Sequence, residues 1–177
     1  MPRTRFFGTV LVLMLALTAR ALAGPPLICH ANEINGARSL PWLATDNWNG
    51  ADPGYDLSHL ANDTLAVLGP QTPIVVRMET IRRAVIYASH RSGLTDELAV
   101  RLFARTLDAQ ANGSPDPSAW FDAGYFVETV RDGARIFPNV HVEQIDGLAW
   151  MHEAERLGGT GMESAVAMVE HARAERK

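Results

Sequence analysis

Apolar residues recur at every third or fourth position in six segments between Asp56 and Arg173, which is the spacing of an amphipathic helix. Glycine stands at or just beyond the end of the first five segments, where it stops a helix. In the clearest segment, the residues that share a helical face are Ile74, Met78, Ile81, Val85 and Ala88. Five or six helices joined by short links predict a single all-α domain, arranged as a bundle or as a short stack of helical hairpins.

Individual residues predict where these helices begin and how they pack. Asp116 and Pro117 match the preferences for the N-cap and the first position of a helix. Thr160, with Glu163 three residues later, predicts a capping box at the start of the last helix. Gly124 lies among larger residues and predicts a close contact between two helices. The third helix is expected to start at Thr95 and to run through Leu98, Leu102 and Leu107.

The first 23 residues have the pattern of a secretory signal peptide. Arg3 and Arg5 form a basic start, and about 14 mostly apolar residues follow, as in the apolar region of such a peptide. A membrane-spanning helix needs about 20. Because Ala21-Leu22-Ala23 is a cleavage sequence, the mature chain is expected to begin at Gly24, to have no membrane span and to be periplasmic or secreted. An uncleaved membrane anchor is the alternative.

Residues 24–55 differ in composition from the chain that follows. Prolines and glycines interrupt every helical period there, which is typical of a loop. The segment nevertheless carries large apolar side chains, which are Leu27, Ile28, Ile34, Leu40, Trp42, Leu43 and Trp48. It is therefore too apolar for a disordered tail. We expect an irregular N-terminal arm that packs on a helical domain formed by residues 56–177.

Charge and cysteine content exclude several classes of protein. The mature chain would carry 13 basic and 20 acidic residues, and therefore a net charge of −7. Nucleic acids and anionic membrane surfaces select basic patches, so neither is an expected partner. The chain has one cysteine, which excludes an intramolecular disulfide.

The dipeptide Cys29–His30 is the first candidate site. Glu33 lies three residues after His30, and the three side chains together form the best local set of metal ligands. A zinc site needs three or four converging ligands, however, and a reactive thiol needs a group that lowers its pKa. A buried cysteine in an apolar segment, beside an incidental histidine, is the favoured interpretation. No cofactor is predicted.

The helix that begins near Ile74 holds the second candidate site. Glu79 can pair with Arg82 and Arg83 three and four residues later. Tyr87 and His90 continue the face of Arg83, so Arg83, Tyr87 and His90 form a candidate strip for binding a partner. The alternative is a solvated face with local ion pairs.

No catalytic motif was identified, so no catalytic residues are assigned and the question of an enzymatic activity is left open. A non-catalytic module that binds another protein or an envelope component is the preferred function. A metal- or thiol-dependent binding protein is the alternative, and a hydrolase using Glu79, Asp122 and Glu128 is the third. Oligomeric state is not predicted.

The segments PPLICHANEI, SLPW and VRMETIRRAVIYA resemble parts of a group of uncharacterised exported bacterial proteins. This resemblance implies a location in the bacterial envelope and adds no activity.

Overall fold

The computed structural model describes residues 24–45, 47–142 and 144–176, and within them the chain is helical with no β-strand. The seven helices of these described residues are α1 (Pro26–Cys29), α2 (Leu60–Val67), α3 (Ile74–Ala88), α4 (Leu94–Ala111), α5 (Pro117–Gly133), α6 (Gly147–Arg156) and α7 (Glu163–Glu175). A 3-10 turn, Leu57–His59, leads into α2. The prediction of a single all-α domain is confirmed. The predicted signal peptide, residues 1–23, lies outside the described residues.

Helix α5 is the centre of the domain. Every residue from Phe121 to Val130 is buried, so the helix is covered on all sides, as expected for a helix that is mostly apolar around its circumference. Helices α1, α3, α4 and α6 pack around it. Helix α2 packs on α3 and α4, and α7 packs on α6. None of the helices within the described ranges is both long and apolar enough to cross a membrane.

Two glycines allow α5 and α6 to approach closely. A Cβ atom built on Gly124 would lie 2.5 Å from the carbonyl oxygen of Gly147, and one built on Gly147 would lie 2.5 Å from that of Gly124. Both distances are shorter than van der Waals contact, so neither position accepts a side chain without a shift of the backbone. The predicted close helix contact at Gly124 is therefore confirmed.

The residue predicted to cap α5 does so in the structure, whereas the cap predicted for α7 is not formed. The Asp116 carboxylate accepts a hydrogen bond from the Ser118 amide at 2.9 Å, which confirms it as the N-cap of α5. The capping box predicted at Thr160 is wrong, because α7 begins at Glu163 and has no side-chain cap. Gly161, with a φ of +74°, turns the chain just before the helix and leaves Thr160 outside its first turn.

Residues 24–55 form an arm with one short helix, α1, and no other regular structure in its described part. Leu27, Ile28 and Leu40 are buried in the main core. Outside the helices, the hydrogen bonds that described arm residues form between two backbone groups join one arm residue to another. Side chains of the helices therefore make the polar contacts that attach the arm to the domain.

Candidate functional site

A buried carboxylate, Glu79, organises the polar side of α3. It accepts hydrogen bonds from Arg82 through Nε and Nη2, both at 2.8 Å, and from Arg83 Nε at 2.8 Å. Burial alone would raise the pKa of Glu79, but the hydrogen bonds and charge of Arg82, with help from Arg83, hold it below its ordinary value. The ion pairs predicted from the sequence are formed, although they are buried rather than solvated.

The same side chains bind the backbone of the arm. Arg82 Nη1 donates to the carbonyl oxygens of Ile28 at 2.9 Å and Trp48 at 3.0 Å. Arg83 Nη1 donates to Leu40 O at 2.8 Å. The two guanidinium groups also lie 5.1 and 5.2 Å from the ring centroid of Trp42, within the range of a cation–π contact. The polar side of α3 thus holds the arm, whose regular structure in its described part is limited to the short helix α1.

Tyr87 extends these contacts toward the end of the arm. Its hydroxyl donates to Pro41 O at 2.6 Å and accepts from the Asp52 amide at 2.9 Å. Tyr87 is 1% exposed and the Arg83 side chain 14% exposed, whereas His90 is exposed. Of the candidate partner strip, Arg83 and Tyr87 are therefore covered by the chain's own arm, and His90 does not join them there.

Cys29, His30 and Glu33 point to different surroundings. Cys29 is half-buried, and burial together with the nearby Asp132 charge raises its pKa. His30 is exposed, with Nδ1 3.3 Å from Pro26 O, and Glu33 accepts a bond from the Asn35 amide at 3.1 Å. Across the described part of the chain, no three His, Cys, Asp or Glu side chains are arranged to hold a metal ion.

The three acid–base candidates, Glu79, Asp122 and Glu128, are fully buried, and each belongs to a separate ion-pair cluster. In the Asp122 cluster, Oδ2 of the carboxylate accepts hydrogen bonds from Arg77 at 2.6 Å and from Arg105 at 3.0 Å. Asp122 Oδ1 has no hydrogen-bond partner among the described residues, and burial raises the pKa of this carboxyl group to about 6 despite both arginines. The charges of Arg77 and Arg105 lower that pKa only in part.

Glu128 forms the third cluster with Arg131, Arg173 and Arg176, at distances of 2.7 to 3.2 Å. These arginines line a cleft of about 750 Å³. Two of them also pair with other carboxylates, Arg173 with Asp146 and Arg176 with Asp132. The cationic groups at this cleft are thus already neutralised, and they join α7 to α5.

The outer face of α4 has the opposite character, because large apolar side chains are exposed on it. Val100 is 66% exposed and Leu107 54% exposed, whereas Leu98 and Leu102 on the inner face are buried. Leu107, one of the apolar residues through which the sequence predicts this helix to run, therefore lies outside the core. Nine residues separate it from Leu98, which is two and a half helical turns, so the two side chains point in opposite directions.

An apolar cleft borders this outer face. It has a volume of about 330 Å³ and lies between α4 and the link to α6. Its lining residues are Asp96, Ala99, Val100, Phe103, Val142 and Ile145. The Phe103 ring lies 5.2 Å from that of Trp150, and Trp150 lies 5.1 Å from Trp120, so a packed aromatic cluster supports the floor of the cleft.

The exposed apolar face of α4 can also be recognised in the sequence, although the apolar spacing discussed above does not include it. Val100, Ala104 and Leu107 follow one another at intervals of four and three residues, as the core residues of a helix do. Helix α4 therefore has two apolar faces, and only one is covered within the described part of the chain.

No protein-family model, curated protein or solved structure matches this chain.

Proposed function

We propose that this chain is an exported, non-catalytic module that binds a protein partner through the outer face of α4. The observation that carries the proposal is the exposure of Val100 and Leu107 on one helical face, beside an apolar cleft. Contiguous apolar surface of this kind, bordered by charged residues, is typical of protein interaction sites. Export rests on the basic start, the apolar run and the Ala21-Leu22-Ala23 sequence.

The buried carboxylates support a non-catalytic role. Glu79, Asp122 and Glu128 are fully buried, and each is bonded to arginines that join parts of the fold. A catalytic acid or base must come within hydrogen-bond reach of its substrate. These three side chains do not have such access.

A photoreactive amino acid at position 100 tests the proposed surface in the native cell. Illumination is expected to produce one discrete cross-linked product. The matched control places the same group at Ala167, an exposed position on α7, and is expected to give no such product. Equal products from both positions, or none from position 100, would contradict the proposal. Attachment to lipid or cell-wall material would identify an envelope component instead of a protein.

A further inference from the structure

We propose that the partner of the α4 face is a second copy of this chain, and that the two α4 helices pack antiparallel. This inference rests on the proposed function, since it uses the same surface. At 100° per residue, Val100, Phe103 and Leu107 lie within about 60° of one another around the helix. They form a narrow stripe like the apolar seam through which two helices pack.

The sequence of α4 is self-complementary in the antiparallel direction. With a two-fold axis between Phe103 and Ala104, Val100 lies opposite the partner's Leu107, and Leu107 lies opposite the partner's Val100. Ala104, exposed and small, then lies at the centre, where it allows the two backbones to approach. A two-fold axis uses the same patch on both molecules, which is the commonest form of association.

Charges beside the stripe favour the same direction and register. Arg101 and Asp108 are exposed, and neither forms an ion pair with any described residue. Both lie about 80–100° to the same side of Val100 around the helix. In the antiparallel pair, Arg101 and the partner's Asp108 lie on the same edge of the interface, about 3 Å apart along the helix axis, and the symmetry repeats this arrangement. A parallel pair places the two residues on opposite edges of the interface and leaves them unpaired.

The cleft beside α4 completes the surface. Val142 and Ile145 form its far wall, so apolar contact extends beyond the helix itself. Its volume of about 330 Å³ has room for apolar side chains of the second copy. Both molecules present the same cleft, and the contact area is therefore doubled by symmetry.

Sedimentation analysis of the purified exported chain over a range of concentrations tests this inference. We expect a monomer–dimer equilibrium, which Leu107→Asp shifts to monomer. Ala167→Asp, on α7, is the matched control and is expected to leave the equilibrium unchanged. Dimers that persist in Leu107→Asp would place the interface elsewhere and overturn the inference.

Charge exchange tests the antiparallel register. Arg101→Asp and Asp108→Arg are each expected to weaken the dimer about tenfold, because each creates two like-charge contacts. The double variant restores both contacts with reversed polarity and is expected to return to within about threefold of the original dissociation constant. Failure of the double variant to recover would contradict the register.

The two proposals can fail separately. A chain that stays monomeric at all concentrations, but cross-links at position 100 to a different protein, overturns self-association and leaves the proposed function standing. A monomeric chain with no product at position 100 overturns both.

Discussion

Tyr87 and Tyr125 are both buried, but their hydroxyl groups differ in hydrogen bonding. The Tyr87 hydroxyl makes two hydrogen bonds to the arm, whereas that of Tyr125 has no partner among the described residues. Tyr87→Phe is expected to lower the free energy of unfolding by about 1–2 kcal/mol, because it leaves two backbone groups unpaired. Tyr125→Phe is the matched control and is expected to be neutral or stabilising. Urea unfolding measures both, and equal losses would contradict the assigned contacts.

Asp122 gives a prediction about pH. Its pKa in the folded chain is about 6, above the ordinary value near 3.8, so the folded state binds the proton more tightly than the unfolded state does. Protonation of Asp122 therefore stabilises the fold as pH falls from about 7 to 4, and its ionisation removes that contribution as pH rises through 6.

Asp122→Asn isolates this contribution, since asparagine has nearly the same shape and does not titrate. Urea unfolding measures the free energy of unfolding of both chains. The difference between the original chain and the variant is expected to shift in favour of the original chain as pH is lowered from 7 to 5. A difference that is constant with pH, or that has the opposite sign, would show that the pKa of Asp122 is not raised.

At the scale of helices, local patterns predicted the regular elements well. Apolar spacing, Asp116 and the terminal glycines located the main helices, because these signals act within one or two turns. The covering of α3 was not predictable in the same way. Arg82 binds Ile28 and Trp48, which are 54 and 34 residues away, and an irregular arm has no period from which such contacts follow. The sequence therefore predicts Arg83 and Tyr87 to be an accessible binding surface, because nothing local to α3 shows that the arm covers them.

The contact between α5 and α6 was the one tertiary feature that a single residue predicted. Gly124→Ala is expected to cost about 1–3 kcal/mol of unfolding free energy, because the added methyl group overlaps the backbone of α6. Gly69→Ala is the control, since its nearest neighbour, Thr72 Oγ1, lies 3.9 Å from the added Cβ atom. Thermal unfolding compares the two, and similar midpoints would contradict the close packing of α5 on α6.

At the scale of the whole molecule, buried ion pairs join segments that are distant in sequence. Asp132 accepts from the Leu27 amide of the arm at 2.7 Å and from Arg176, just after α7, at 3.4 Å. The two ends of the described chain therefore meet on one side chain of α5. Glu128, one turn earlier on α5, binds α7 through Arg173 as well. Loss of these pairs is expected to loosen the whole domain rather than a single element.

Arg173 and Arg156 test this role of buried charge as a matched pair. Each binds a glutamate through two nitrogen atoms, but Glu128 is fully buried, whereas Arg156 and Glu153 lie at the surface. Arg173→Met is expected to cost about 1.5–3 kcal/mol of unfolding free energy, because it removes charged hydrogen bonds from a carboxylate that water cannot reach. Arg156→Met is expected to change the unfolding midpoint little, since water replaces the lost partner. Urea unfolding at neutral pH measures both variants. If Arg156→Met were as destabilising as Arg173→Met, the burial of Glu128 would not explain the loss, and the proposed role of buried charge would be contradicted.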